Sequence, residues 1–144
     1  MMRICHIVDT LNIGGLEKTL IKIVLQAKDF EHCVFCLTVK GMLAQELENN
    51  GIRVREFNFP PRLHIPSLFS LAAELKNSKI NIVHCHGLYP SIWGRIAAMI
   101  AGIPVRIVHT QNIYYGISFK ERLKLKILSN FTTKIIADIV RLLQ

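Results

Sequence analysis

The stretch from Asn81 to Arg95, NIVHCHGLYPSIWGR, constrains the fold of this chain more than any other. Ile82 and Val83 begin an apolar, β-branched run that ends on two histidines and a glycine, which is typical of a buried strand followed by a turn. Pro90 suits the first turn of a helix, where its missing N–H costs no hydrogen bond. The pattern predicts a strand, a tight loop and a helix, with polar side chains at the carboxyl end of the strand, where open α/β sheets bind ligands.

Strand and helix patterns alternate along the rest of the chain. Strands are predicted at 3–8, 32–39, 52–57, 82–86, 105–108 and 134–139, and helices at 16–28, 42–50, 66–77, 91–101 and 118–131. Residues 52–57 alternate apolar and charged side chains, which indicates a strand near the sheet edge. Short apolar strands separated by helices predict an α/β fold, a Rossmann-like, doubly wound, mostly parallel sheet with helices on both faces. The 144 residues suit a single domain, 1–144.

The charge of the chain favours anionic partners. The formal net charge is +8, from 18 lysines and arginines against 10 acidic residues, which fits nucleotides, phosphates or acidic lipid surfaces. No basic motif is interleaved with aromatic residues, so nucleic-acid binding is not expected. The basic segment from Lys120 to Gln144 fits either a solvated helix or contact with an anionic membrane surface.

The cysteines and the apolar runs indicate the compartment. All four cysteines fall in predicted strands, where a free thiol behaves as a small hydrophobe. The Cys33–Cys36 pair has CxxC spacing but lies in an apolar strand without a turn, so we expect neither redox nor zinc chemistry there. No secretory signal or membrane-spanning run is recognised. We therefore expect a cytoplasmic location, either free or peripheral on the inner face of the membrane.

Two glycines follow the first predicted strand. Gly14 and Gly15 do not complete GxGxxG, the second strand ends on Lys40 without an acid, and no GxxxxGK[ST] occurs, so neither NAD binding nor a P-loop is expected. The pair fits two structures. It either makes a tight turn, or it lets backbone N–H groups at a helix start meet a phosphate or a sugar hydroxyl.

Three histidines stand at or near predicted strand ends. His84 and His86 lie on the same side of their strand because side chains alternate with a period of two. A metal pair with His109 or His6 as third ligand is one interpretation. We favour a hydrogen-bonded core histidine with the second histidine at the crevice, and no metal. His109 has the chemistry to act as a general base or to hold a sugar hydroxyl.

Three segments together resemble the N-terminal domain of retaining GT-B glycosyltransferases of family four. They are MRICHIVDTLNIGGLEKTLIKIV at 2–24, HCHGLYPSIWGRIAAMIAGIPVRI at 84–107 and VHTQN at 108–112. The resemblance implies the acceptor-binding half of an enzyme whose second Rossmann-like domain, absent from this chain, binds the nucleotide-sugar. It also implies metal-independent transfer without a cofactor, from a UDP-, GDP- or ADP-type donor to a glycan or lipid-linked acceptor, as in lipopolysaccharide or cell-envelope biosynthesis.

The same resemblance assigns site residues. It implies catalytic roles for His86 and His109, donor-phosphate contacts for Gly14, Gly15, Glu17 and Lys18, and acceptor contacts for His86, Tyr89, Gln111 and Asn112. The expected partners are the sugar acceptor, the missing C-terminal domain, an anionic membrane surface and a second copy of the chain. We expect the fragment alone to be inactive. The alternative is a stand-alone Rossmann-like module that binds an anionic small molecule at Gly14–Gly15 and His86 without catalysis.

Overall fold

The central feature is a parallel sheet, seen in a computed structural model that describes residues 1–110 and 118–137. The strands are β1 (Arg3–Val8), β2 (Glu31–Cys36), β3 (Arg53–Glu56), β4 (Ile82–His86), β5 (Val105–Thr110) and β6 (Lys134–Ala137). They form one six-stranded sheet in the order β3-β2-β1-β4-β5-β6, and all neighbours are parallel. The Rossmann-like prediction is confirmed, and β3 lies at the sheet edge. Because the strand order reverses between β1 and β4, their carboxyl ends form the switch point where such sheets bind ligands.

Helices cover both faces of this sheet, as the patterns predicted. They are α1 (Gly15–Gln26), α2 (Ala44–Asn49), α3 (Ile65–Asn77), α4 (Arg95–Ile100) and α5 (Phe119–Ser129), with a π-helical turn at Pro90–Gly94 directly before α4. One apolar core joins α1 and α2 to β1, β2 and β3. A second core joins α3 and α4 to the opposite face of β1, β2 and β4. Among the described residues, no helix is long and apolar enough to cross a lipid bilayer.

Local sequence accounts for several element ends. Ser118 and Glu121 form the predicted capping box at the start of α5. Gly51 ends the α2 segment with a φ of +78°, the left-handed conformation that glycine tolerates. The helix predicted from Met42 begins later, at Ala44, and the Leu43 N–H just before it donates to the Leu11 carbonyl (2.9 Å) in the loop after β1.

Two predicted bounds near the switch point are wrong. The fifth strand does not end at Val108 but continues to Thr110, since β6 pairs with it through His109 and Thr110. The helix predicted at 91–101 starts as the π-helical turn, whose wider coil brings Gly94 against β4. A Cβ added at Gly94 would lie 2.8 Å from the Cys85 Sγ, so only glycine permits this close approach.

Candidate functional site

The diglycine loop and the end of β4 lie on the same rim of the sheet. Gly87 has a φ of +95°, and a Cβ there would lie 3.8 Å from the Leu16 Cδ1 at the start of α1. Gly14 is the N-cap of α1 in an extended conformation, and the space that a Gly15 side chain would fill contains no atom within 4 Å. The first helical turn is therefore accessible to a ligand, as the phosphate-binding hypothesis requires.

Glu17 occupies part of this approach. A Cβ at Gly14 would lie 2.3 Å from the Glu17 Oε2, so the carboxylate folds back over the helix start. The partial positive charge of a helix N-terminus stabilises a carboxylate there. A phosphate bound at Gly14 and Gly15 would have to displace the Glu17 carboxylate. The positive charge of Lys18 would attract such a phosphate.

A cavity of about 240 Å³ opens on the carboxyl side of the sheet. Asp9 and Thr38 line it at the ends of β1 and β2, and Tyr89 and Trp93 line it from the segment after β4. Its remaining wall is apolar and consists of Leu37, Phe59, Pro60 and Pro61. Of these residues only Tyr89 was predicted as a site residue. Asp9 could have been found, because it is the first residue after an apolar strand.

The cavity combines a carboxylate with aromatic surface. Burial raises the pKa of Asp9, while a side-chain hydrogen bond from Thr38 opposes that shift. Tyr89 and Trp93 stand four residues apart on one helical side, and the Lys124 ammonium lies 5.3 Å from the Trp93 ring centroid. A few polar groups set among apolar and aromatic side chains are typical of small-molecule sites.

The predicted catalytic histidines lie deeper than this cavity. His86 and His109 are 2% and 7% exposed, and the neighbouring His84 is 9% exposed, so all three side chains are buried in this structure. The strand register explains the burial, because His6 lies opposite His84 and His86 lies opposite His109. The ring centroids of His84 and His86 are 4.1 Å apart, and those of His86 and His109 are 5.6 Å apart.

A chain of hydrogen bonds links three of these rings to the backbone. The His32 Nε2 donates to the Ala27 carbonyl (2.7 Å), the His32 Nδ1 lies 3.0 Å from the His6 Nε2, and the His6 Nδ1 lies 3.1 Å from the His86 Nε2. The carbonyl accepts only, so for neutral rings His32 offers the Nδ1 lone pair to the N–H of His6. The His6 Nδ1 lone pair then faces His86.

Burial favours the neutral form of the His6, His84 and His86 imidazoles. It lowers the pKa of His6 and of His86 well below the ordinary value, and neighbouring imidazoles add to both shifts. It lowers the pKa of His84 to about 4, with a further contribution from His109. The His84 Nε2 and the His86 Nδ1 are buried without a hydrogen-bond partner in the structure. The cluster therefore presents lone pairs rather than positive charge.

The structure thus divides the predicted site residues into groups. His86 and His109 lie together in the sheet, Tyr89 lies in the cavity, and the residues from Gly14 to Lys18 form the adjacent rim. Gln111 and Asn112 lie outside the described residues. Within the described ranges, His6, His84 and His86 also bring three ring nitrogens within 4.8 Å of one another, a group that has the composition of a metal site.

Comparisons with known proteins agree with this architecture. The chain is 31% identical to the capsular polysaccharide biosynthesis glycosyltransferase CapH of Staphylococcus aureus, over 76% of this chain and 30% of that protein. Its fold matches Anabaena Alr3699/HepE in complex with UDP-glucose, with a TM-score of 0.77, 20% identity, and coverage of 94% of this chain and 37% of that one. It also matches Acinetobacter baumannii MurG, with a TM-score of 0.71, 18% identity, and coverage of 95% and 41%.

The chain spans about a third of the length of these relatives. The family model of Glycosyltransferase Family 4 matches residues 13–140, which include the diglycine loop, the β4 histidines and the π-helical turn. The chain belongs to glycosyltransferase family 4.

Proposed function

We propose that this chain is the acceptor-binding half of a glycosyltransferase that moves a sugar from a nucleotide-sugar donor to a glycan or a lipid-linked acceptor. The observation that carries the proposal is the cavity at the carboxyl ends of the strands, where Asp9 stands beside Tyr89 and Trp93. A sugar ring has apolar C–H faces and polar hydroxyl edges. The aromatic rings suit the faces, and the carboxylate accepts hydrogen bonds from the hydroxyls.

The donor belongs to a second domain in this proposal. The chain spans 30% of CapH and 37% of HepE, so most of each of those proteins has no counterpart in it. Gly14, Gly15 and Lys18 would face the donor phosphates across the cleft between the two domains. We therefore propose that the chain alone does not transfer sugar.

The catalytic roles of His86 and His109 stay predictions. The His86 Nε2 is engaged with His6, so the Nδ1, which has no partner in the structure, is the atom left for a substrate hydroxyl. Because His86 is 2% exposed, neighbouring atoms would have to move before a hydroxyl reached that atom.

Trp93 allows a direct test, because it is the only tryptophan in the sequence and it lines the cavity. We expect a saturable change in tryptophan fluorescence when the chain is titrated with methyl glycosides of glucose, galactose and N-acetylglucosamine. Asp9→Asn should weaken the response about tenfold, since a charged acceptor makes the stronger hydrogen bond. The matched control is Asp29→Asn, at an exposed turn, which should respond like the wild type. Glycoside binding that is equal in the Asp9→Asn variant would refute the proposal.

Nucleotide binding distinguishes this proposal from the alternative, a stand-alone module that binds an anionic small molecule without catalysis. Thermal shift with UDP, GDP and ADP should show little stabilisation if the nucleotide belongs to the second domain. The accessible first turn of α1 at Gly15 is the observation that favours the module. Strong stabilisation by a nucleotide, lost in Lys18→Ala, would favour that reading.

We also propose that α5 rests on an anionic membrane surface. Phe119, Leu123 and Ile127 follow one line along the helix and are 79%, 46% and 51% exposed. Lys120 and Lys124 flank that line on one side, and Arg122 and Lys126 flank it on the other. An apolar stripe between basic side chains suits the boundary between headgroups and acyl chains.

Vesicle co-sedimentation tests the membrane proposal. The chain should sediment with vesicles that contain phosphatidylglycerol and stay in solution with pure phosphatidylcholine, and high salt should release it. Leu123→Ser should reduce binding, whereas Met42→Ser, at another exposed position, should not. If Leu123→Ser instead abolishes a concentration-dependent dimer and leaves sedimentation unchanged, the stripe mediates self-association and the membrane proposal is wrong.

A further inference from the structure

We propose that His6, His84 and His86 bind one zinc ion between β1 and β4, behind the crevice. The proposal does not rest on sugar transfer. It assigns the ion a structural role, in which it ties the two strands that flank the switch point. It also departs from our sequence analysis, which favoured an arrangement without metal.

The geometry of the three imidazoles is close to a coordination shell. The His6 Nδ1 and the His86 Nε2 are 3.1 Å apart, whereas two nitrogens bound to one tetrahedral zinc at 2.0–2.1 Å are separated by about 3.3 Å. A ring nitrogen of His84 lies within 4.8 Å of both. A modest turn of the His84 ring would bring it into range, and water would take the fourth position, as in zinc sites with three histidines.

The ring of His6 is already oriented as a ligand. Its Nε2–H donates to His32, which is itself fixed by the Ala27 carbonyl. Zinc-bound histidines usually donate their other ring N–H to such a partner, which fixes the tautomer and strengthens the ligand. Here the same chain of bonds directs the His6 Nδ1 lone pair toward His86.

The His84 Nε2, which is buried without a hydrogen-bond partner, distinguishes metal binding from packing of the rings alone. A hydrogen bond between His6 and His86 explains their short distance, but it leaves the His84 Nε2 buried without a partner. An unsatisfied buried nitrogen destabilises the fold, because it loses the hydrogen bond that water gives it in the unfolded chain. One cation bound among the three rings would give the His84 nitrogen a partner and would also hold the His6 Nδ1 and the His86 Nε2 close together. Three neutral imidazoles without a thiolate or carboxylate among them suit zinc rather than magnesium or calcium.

The test uses the untagged chain, stripped with EDTA and titrated with Co²⁺ and then with Zn²⁺. We expect one Co²⁺ per chain, with the visible absorption of a four-coordinate ion, and its displacement by Zn²⁺. The melting temperature should rise as Zn²⁺ is added, since a ligand of the native state stabilises it. Circular dichroism of each metal-free variant verifies the fold.

Three variants assign the ligands. His84→Phe removes the unpartnered nitrogen, so the metal-free variant should fold as well as the wild type and should lose at least tenfold in Zn²⁺ affinity. His32→Phe removes the outer partner and should weaken binding about tenfold. His64→Asn is the control, because His64 is an exposed N-cap on α3 and asparagine keeps a capping oxygen. The proposal is overturned if the folded wild type binds no stoichiometric metal, or if His84→Phe binds it as tightly as the wild type.

Discussion

The two faces of the sheet carry opposite chemistry on the same strands. One face of β1, β2, β4 and β5 presents five imidazoles, those of His6, His32, His84, His86 and His109. The other face presents the thiols of Cys5, Cys33 and Cys85 among apolar side chains. Burial favours the neutral forms of His6, His84 and His86 on one face and of Cys5 and Cys85 on the other, but by opposite routes. It lowers the pKa values of these three histidines, to about 4 for His84, and it raises the pKa of Cys85 to about 12.

The two faces of the sheet are therefore stabilised by different kinds of interaction. A neutral imidazole keeps a donor and an acceptor that need partners, so the histidine face is held by directional bonds. A buried thiol behaves as a small apolar group, so it needs room to pack but no hydrogen-bond partner. The histidine face therefore depends on protonation and orientation, and the cysteine face depends on packing.

The largest expected effect is acid destabilisation that arises on the histidine face. An unfolded histidine has a pKa near 6.5, whereas that of His84 in the fold is about 4, so between these values the unfolded chain binds more protons. The free energy of unfolding should therefore fall as the pH decreases below about 6.5, by about 1 kcal/mol per pH unit for one such histidine. The pKa values of His6 and His86 shift in the same direction and add to the slope.

Urea denaturation in EDTA at several pH values from 7.5 to 5 measures this dependence. His84→Phe should make the free energy of unfolding less dependent on pH, and His64→Asn should leave this pH dependence unchanged. A wild-type stability that does not change with pH over this range would show that the imidazoles are not buried as described, and the comparison of the two faces would fail.

Gly94→Ala probes the packing of the cysteine face and should have the next largest effect. The added methyl would lie 2.8 Å from the Cys85 Sγ and 3.1 Å from the Ile7 Cδ1, so helix and strand must separate. We expect a loss of about 1–3 kcal/mol in the free energy of unfolding, as for overpacked cores. The control is Gly15→Ala, where the methyl meets no atom within 4 Å and stability should not fall. Equal stabilities of the two variants would contradict the close approach of the π-helical turn to β4.

Glu74→Gln probes the polar edge of the same face and should have the smallest effect. The Glu74 carboxylate on α3 accepts from Arg53 (2.5 Å) and from Arg55 on β3, and both arginines are half exposed. Such pairs contribute about 0–1 kcal/mol and are screened by salt. We expect a loss of at most about 1 kcal/mol in low salt, smaller at high salt, relative to Asp29→Asn. A loss larger than that of Gly94→Ala would mean that polar bonds, and not packing, hold this face.

The fold could be predicted from the sequence because its signals are local. Apolar runs, helical periodicity, the Ser118 capping box and Gly51 each depend on a few neighbouring residues, and the elements they predict are present. The bounds that failed depend on distant partners. β5 extends through His109 because β6 pairs with it, and the segment before α2 is bonded through Leu43 to the loop after β1.

The site was less predictable for the same reason. The period of two correctly places His84 and His86 on one face, but their burial depends on His6 and His109, which come from two other strands. Asp9, Thr38 and Trp93 meet in one cavity only because β1, β2 and β4 are adjacent and parallel. Tyr89, which lines the cavity, was predicted through the family resemblance and not through any local pattern.

The π-helical turn at Pro90–Gly94 has a consequence for the comparison of sequences within this family. In an α-helix each residue adds about 100° of rotation, so a wider turn that holds one additional residue changes which side chains share a direction. Here it allows Tyr89 and Trp93 to face the cavity while Gly94 sits on Cys85. A relative that lacks the additional residue can keep one of these arrangements but not both. An ungapped alignment with such a relative would therefore match a cavity residue in one protein with a core residue in the other.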